Sequence, residues 1–181
     1  MQTEILVGII GAASALLGTL AGGVVTNWSQ SAERHATRRD KLIGMATSLS
    51  AEIEAYIEMV SMRKYVQHAK DIGEAAKHGH TVSLKGWITE SERVIEHFPT
   101  FRSNSSDLGI LGIEICRDLA RFHSSYSAVR ATIIRAEEGH YDELPPSAVA
   151  ALIEQELGLW EVVILKGERL IVDLRGLADT A

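Results

Sequence analysis

The sequence predicts an all-α protein in which one N-terminal transmembrane helix precedes a cytosolic four-helix bundle. Residues 5–28 carry no charge, the remaining chain repeats apolar residues at helical spacing, and aromatic residues (6%) and prolines (three) are scarce. A length of 181 residues favours one domain beside the anchor. We expect four segments: an external N-terminus over 1–4, a transmembrane helix over 5–28, a basic juxtamembrane helix over 29–41, and a cytosolic helical bundle over 42–181.

The transmembrane helix is predicted from the longest uncharged run of the chain, which lies between Glu4 and Glu33. At 1.5 Å per helical residue, residues 5–28 extend about 36 Å, enough to cross a hydrocarbon core about 30 Å thick. A cleaved signal peptide is the alternative. The residues before the run carry no positive charge, however, and the run is longer than an ordinary signal core.

Basic residues flank only one end of this run. The N-terminal side has none, whereas the other side carries Arg34, Arg38, Arg39 and Lys41. Because positive residues stay in the cytoplasm, we expect the N-terminus outside and the C-terminal domain in the cytoplasm. Trp28 would lie at the cytoplasmic interface of the lipid bilayer, and the basic residues would set the topology or contact anionic headgroups.

Small residues recur along one side of the predicted transmembrane helix. Steps of three and four residues are typical of a seam between paired helices, and small side chains let membrane helices approach closely. We therefore expect association with a second copy or with a membrane-protein partner. A ring of such helices around a pore is a further alternative, although no ionisable residue marks an ion path. The residues of this oligomerisation stripe are Gly8, Gly11, Ala15, Gly18 and Gly22.

The rest of the chain predicts four further helices. The first runs from residue 42 to about 60 and fades toward Gly73, and the second covers 84–98 and ends at Pro99. The third covers about 113–138, and the fourth begins near Ser147 and continues past residue 171. Residues 162–172 would also fit a β-hairpin, but sustained three-four spacing of apolar residues favours a helix.

Composition and motifs point away from several function classes. A net charge of −6 does not match DNA, and nucleotide-binding, metalloprotease and hydrolase signatures are missing. Cys116 is the only cysteine. His78 and His80, with His68 upstream, lack a cysteine or carboxylate cluster that would complete a metal site. We expect no cofactor and no metal, and interpret these histidines as part of a solvated loop.

One pair of residues suggests chemistry. Arg117 and His123 resemble the R-x(4–6)-H motif of HEPN ribonucleases, helical bundles that pair to form a metal-independent RNA-cleaving site. The resemblance extends to membrane-anchored HEPN-like accessory proteins of RNA-targeting CRISPR systems. It implies that Arg117 would stabilise the phosphate and that His123 would act as acid or base. Six helical positions place the two side chains about 120° apart, however, and His123 lies beside an apolar stripe.

Residues 103–130 also resemble a segment of uncharacterised bacterial single-pass membrane proteins, in which a Leu-Gly-rich turn leads into a helix with an aromatic pair. Here Phe122 and His123 stand at that pair. The resemblance implies a bacterial inner-membrane protein and carries no known activity.

We therefore expect a non-catalytic, membrane-anchored helical interaction protein that self-assembles or serves as an accessory subunit of a membrane complex. The alternative is a HEPN-like ribonuclease or a membrane-perturbing, pore-type defence effector, and RNA is an expected partner only in that case. A third possibility, a lipid- or ligand-binding bundle, requires a cavity that a sequence does not display.

Overall fold

The computed structural model describes residues 33–181, and the predicted transmembrane helix over 5–28 lies outside this part. The chain divides into two units, residues 1–41 and residues 42–181. In the first unit, the described residues 33–41 are helical and exposed, within the predicted juxtamembrane helix. Among residues 33–181, no helix combines the length and the apolar character that crossing a membrane requires.

The all-α prediction is confirmed for the second unit. No strand occurs among the described residues, and residues 162–172 are helical, so the hairpin alternative is wrong. The elements are α1 (residues 42–62), α2 (Tyr65–Lys77), α3 (Glu90–Arg93), α4 (Pro99–Ser103), a 3-10 turn (Leu108–Leu111), α5 (Ile113–Glu137) and α6 (Pro146–Thr180).

The long helix α6 packs against both α2 and α5. Near its end, Arg175 donates to the Glu54 carboxylate of α1 at 2.5 Å. Near its start, Ile153 contacts Gly73 of α2 so closely that a Cβ there would lie 2.9 Å from the Ile153 Cγ2. The contact residue in α6 thus has a lower number (153 instead of 175) where the residue in α1 or α2 has a higher one (73 instead of 54). The first two helices therefore run antiparallel to α6.

Helix α5 is antiparallel to α6 as well. Asp118 near its start accepts from Lys166 at 3.5 Å, and Thr132 near its end hydrogen-bonds Glu156. The unit is thus built from the consecutive helices α1 and α2 together with α5 and α6, and the crossover 78–112 joins α2 to α5. The predicted stripe of α5 is buried at Leu119, Phe122, Tyr126 and Val129.

Helix α2 was not predicted, because the apolar pattern fades there. Its buried positions include Ala69, Gly73 and Ala76, small residues that give a weak hydrophobic signal. Between α1 and α2, Lys64 adopts the left-handed conformation (φ 55°, ψ 34°), which interrupts the helix for two residues.

The prediction of a helix over 84–98 is wrong. Gly86 has a φ of +91°, and the Glu137 carboxylate of α5 accepts from the backbone N–H groups of Trp87 (2.6 Å) and Ile88 (3.2 Å). These bonds satisfy donors that a helix would turn toward its own carbonyls. Helical structure covers only α3, which begins with a capping box between Thr89 and Glu92. Pro99, predicted to end a helix, instead begins α4.

Candidate functional site

The structure places the two residues of the suggested R-x(4–6)-H motif in different environments. Arg117 is exposed and pairs with Glu114 one turn earlier in α5. The His123 ring is half-buried and stacks on Phe101 at 4.4 Å between ring centroids, with 16° between the planes. Arg117 therefore faces solvent, whereas His123 packs under α4.

The surroundings of His123 favour the neutral imidazole. Phe98 and Tyr126 lie 6.1 and 5.8 Å from its ring centroid, and its Nδ1 is 3.5 Å from the Ser127 hydroxyl. Burial lowers the pKa of His123, and Glu96 only partly opposes this shift. The contacts of His123 are therefore those of a neutral side chain that packs against aromatic rings.

The other predicted site residues are spread along the chain. Arg34, Arg38, Arg39 and Lys41 are exposed on the helical residues 33–41. Trp28 and the predicted oligomerisation stripe Gly8, Gly11, Ala15, Gly18 and Gly22 lie outside the described residues.

The three histidines weighed as metal ligands occupy separate positions. His68 packs edge-on against Trp87 at 4.9 Å, and His78 contacts the Glu74 carbonyl through Nδ1 at 2.7 Å. His80 follows Gly79, whose φ of +82° turns the chain out of α2. Within residues 33–181, no group of three histidine, cysteine or acidic side chains is placed to hold a metal ion.

A cluster of aromatic rings joins α1, α5 and α6. Tyr56 is its centre, with ring centroids 5.0 Å from Tyr126, 5.4 Å from Phe98 and 6.5 Å from Trp160. Tyr65 at the start of α2 lies 6.0 Å from Trp160. Because burial raises the pKa of Tyr56, its phenol stays protonated at neutral pH. The cluster forms an uncharged wall of mutually packed rings.

This wall borders a cleft of about 300 Å³, which we call the aromatic cleft. The segment 88–97 covers its other side. Its wall and rim residues include Tyr56, Tyr65, Ile88, Glu92, Ile95, His97, Tyr126, Arg130 and Trp160. The cleft is the kind of concave, largely apolar site with a few polar groups that small molecules occupy.

Two arginines line the cleft, and their partners differ. Arg63 pairs with Glu92, whose carboxylate also accepts from the backbone N–H of Thr89. Arg130 donates to the Arg93 carbonyl at 2.5 Å and lies 3.5 Å from the Tyr126 hydroxyl. No carboxylate among the described residues lies within ion-pair distance of Arg130.

The histidine of the cleft adds no positive charge at neutral pH. Burial lowers the pKa of His97, and the Arg130 guanidinium lowers it further, while Glu96 and Glu92 oppose the shift. Glu92 pairs with Arg63, whereas the Arg130 guanidinium has no carboxylate of the described residues within ion-pair distance and only helps, from farther away, to lower the pKa of Glu96.

A second, smaller cavity of about 20 Å³ contains an unusual carboxyl group. Glu156 of α6 is only 7% exposed and lines this cavity with Trp87 and Thr132. Burial raises the pKa of Glu156, and the hydrogen bond with Thr132 only partly opposes the shift. The Trp87 Nε1 is buried and has no hydrogen-bond partner among residues 33–181. The cavity is about the size of one water-sized probe.

The face of α6 that points away from the core is also partly apolar. Its residues follow steps of four and three, and three of them are large apolar side chains with exposures of 38%, 58% and 69%. We call these residues the outer stripe: Gly158, Val162, Leu165, Arg169, Val172 and Gly176.

Sequence reasoning missed both surfaces. The sequence does contain a pattern that indicates the outer stripe. Val162, Leu165 and Val172 recur at the same three-four spacing as the buried residues of α6, but on the exposed side of the helix. No sequence pattern indicates the aromatic cleft, because Tyr56 and Arg130 come together only through tertiary packing.

No protein-family model, curated protein or solved structure matches this chain. The two resemblances stated for residues 103–130 and for the Arg117–His123 pair stay predictions.

Proposed function

We propose that this chain is a non-catalytic, membrane-anchored helical interaction protein that pairs with a second copy of itself. The proposed location is a bacterial inner membrane, with residues 5–28 as the anchor and residues 42–181 in the cytoplasm. The observation that carries the proposal is the outer stripe of α6, which leaves Val162, Leu165 and Val172 exposed at helix-pairing intervals.

The spacing of the outer stripe suits a helix partner. Steps of four and three from Gly158 to Gly176 place an apolar or small side chain at every stripe position except Arg169, as in the seam of a coiled coil. A lone charged residue in such a seam sets the register of the pair, and Arg169 holds that place here. Because Arg169 already pairs with Asp173 of its own helix at 3.7 Å, the partner face must supply mainly apolar residues.

A second copy of α6 supplies the apolar residues and carries Glu168 beside its own Arg169. In a parallel pair, the stripe residues of one helix contact the same residues of the other, and residues beside the seam form ion pairs between helices. The two Arg169 side chains then approach each other, flanked by Glu168 of the other copy and by Asp173 of their own helix at 3.7 Å, and Glu161 lies opposite Lys166. Such exposed pairs contribute little energy, but they favour this register over others.

Disulfide trapping tests this pairing in the full chain within its native membrane. In a Cys116→Ser background, Leu165→Cys is expected to give a covalent dimer under mild oxidation, because seam residues of paired helices approach closely enough for a disulfide. Val94→Cys is the matched control, since Val94 is 82% exposed and lies off the stripe. Equal trapping of both cysteines, or none at Leu165→Cys, would contradict the proposal.

The membrane stripe is tested separately by the mass of the detergent-extracted chain. Self-association through Gly18 and its neighbours predicts a homogeneous oligomer that Gly18→Leu makes smaller. Stoichiometric foreign chains in the extract would instead identify the protein as an accessory subunit of a membrane complex.

The ribonuclease or pore-type effector stays the alternative function, supported by the spacing of Arg117 and His123. We expect His123→Phe to retain both the fold and the cellular phenotype, because phenylalanine reproduces the ring stack on Phe101. The measurements are RNA cleavage by the purified chain and toxicity on expression. Loss of either on His123→Phe, at unchanged thermal stability, would support catalysis by His123.

A further inference from the structure

The aromatic cleft contains one guanidinium, that of Arg130, with which no carboxylate of residues 33–181 forms an ion pair; Glu96 acts on it only from beyond ion-pair distance. Arg130 is half-buried in α5 and has a carbonyl and a phenol as its described partners. A guanidinium offers five N–H donors, and those two contacts leave donors free. Taking a cation partly out of water costs free energy unless an anion or further hydrogen bonds compensate it. The site is therefore electrostatically complementary to an anion.

The position of Arg130 is held by the surrounding structure. Its bond to the Arg93 carbonyl joins α5 to the end of α3, and Arg93 in turn pairs with Glu138 at 2.8 Å. The guanidinium is thus fixed from both sides of the cleft before any ligand arrives. Preorganised donors of this kind bind anions with less loss of side-chain entropy.

The rest of the cleft is suited to an apolar body. Tyr56, Tyr126 and Trp160 are each at most 6% exposed and form its floor, while Ile88, Ile95 and Ile133 lie at its sides. A volume of about 300 Å³ is at the lower end of the range for small-molecule sites. The walls favour a flat, aromatic or aliphatic group of one or two rings.

We infer that the aromatic cleft binds a small organic anion, with its carboxylate or sulfonate on Arg130 and its aromatic or apolar body against Tyr126 and Ile133. A planar carboxylate matches the guanidinium in a two-bond arrangement. The neighbouring Arg63 is paired with Glu92, so the cleft has one place for one negative charge. This site is independent of the outer stripe, which lies on the opposite, exposed face of α6.

The test uses 1-naphthoate as the probe and its neutral amide, 1-naphthamide, as the charge control. The full chain is held in phosphatidylcholine nanodiscs, and heats are measured calorimetrically against empty nanodiscs. We expect saturable, one-to-one binding of 1-naphthoate, and at least tenfold weaker binding of 1-naphthamide. No saturable binding of 1-naphthoate, or equal affinity for both probes, would overturn the inference.

Variants separate the cleft from the rest of the surface. Arg130→Gln removes the charge but keeps a donor for the Arg93 carbonyl. We expect it to weaken the binding of 1-naphthoate at least tenfold. Arg121→Gln removes an exposed charge of the same helix and should leave binding unchanged. Ile95→Trp fills the cleft without altering charge and should abolish binding of both probes. Wild-type affinity in Arg130→Gln or Ile95→Trp, each checked for an unchanged melting temperature, would overturn the site.

Discussion

Gly167→Val is expected to destabilise the fold by about 2–3 kcal/mol, the range typical of overpacked cores. Gly167 lies where α6 crosses α1 and α5, and it is buried. A Cβ there would lie 2.6 Å from the Ile57 Cδ1, 3.1 Å from a Phe122 ring carbon and 3.2 Å from the Ile53 Cγ2. The Ile57 methyl can move, but the ring of Phe122 is held by Phe98. Two β-branched methyl groups therefore force the helices apart.

The matched control is Gly44→Ala in α1. Gly44 is exposed, and a Cβ there would meet nothing within 4 Å. Because alanine is the better helix former, this substitution should stabilise the protein by about 0.5–1 kcal/mol. Chemical denaturation of both variants measures the difference. A neutral Gly167→Val would show that α6 does not approach α1 and α5 as closely as the structure has it.

Glu156→Gln is expected to stabilise the fold at neutral and higher pH and to have little effect near pH 4. Burial raises the pKa of Glu156 above its ordinary value of 4.5, so the folded state holds this proton more tightly than the unfolded state. Stability then falls as the pH rises from the unfolded pKa to the folded pKa, and stays lower above it. Glutamine keeps an acceptor for Thr132 and does not ionise.

The measurement is the free energy of unfolding of both proteins from pH 4 to pH 8. Subtracting the two curves removes the opposite contributions of Glu92 and Glu96, whose pKa values are lowered in the folded state. The difference should grow with pH and then level off. A difference that is constant across this range would mean that Glu156 is not protonated more readily in the fold. Thr132→Val should lower stability at high pH, because it removes the donor that opposes the shift.

The helices with strong apolar periodicity were predictable from sequence. The buried stripe of α5, with Leu119, Phe122, Tyr126 and Val129, and the helical state of residues 162–172 both follow from three-four spacing. The sequence also predicts a membrane anchor over 5–28. These features depend on local spacing, because a helix with one apolar side must bury that side whatever covers it.

Tertiary contacts determined the structure of those segments in which the local sequence pattern was weak or was outweighed by long-range hydrogen bonds and packing. Residues 84–89 are irregular because the Glu137 carboxylate, fifty positions away along the chain from Trp87, accepts the backbone N–H groups of Trp87 and Ile88. Gly73 and Gly167 are buried because neighbouring helices come close, which composition alone does not reveal.

The aromatic cleft belongs to the same category. Its wall residues Tyr56 and Tyr126 and its charge on Arg130 come from α1 and α5, which only packing brings together. The sequence by itself therefore determined which segments are helices and which of their sides are apolar. The long-range contacts determined where the chain leaves its helices and which polar groups meet, because those outcomes depend on competition between partners far apart in sequence.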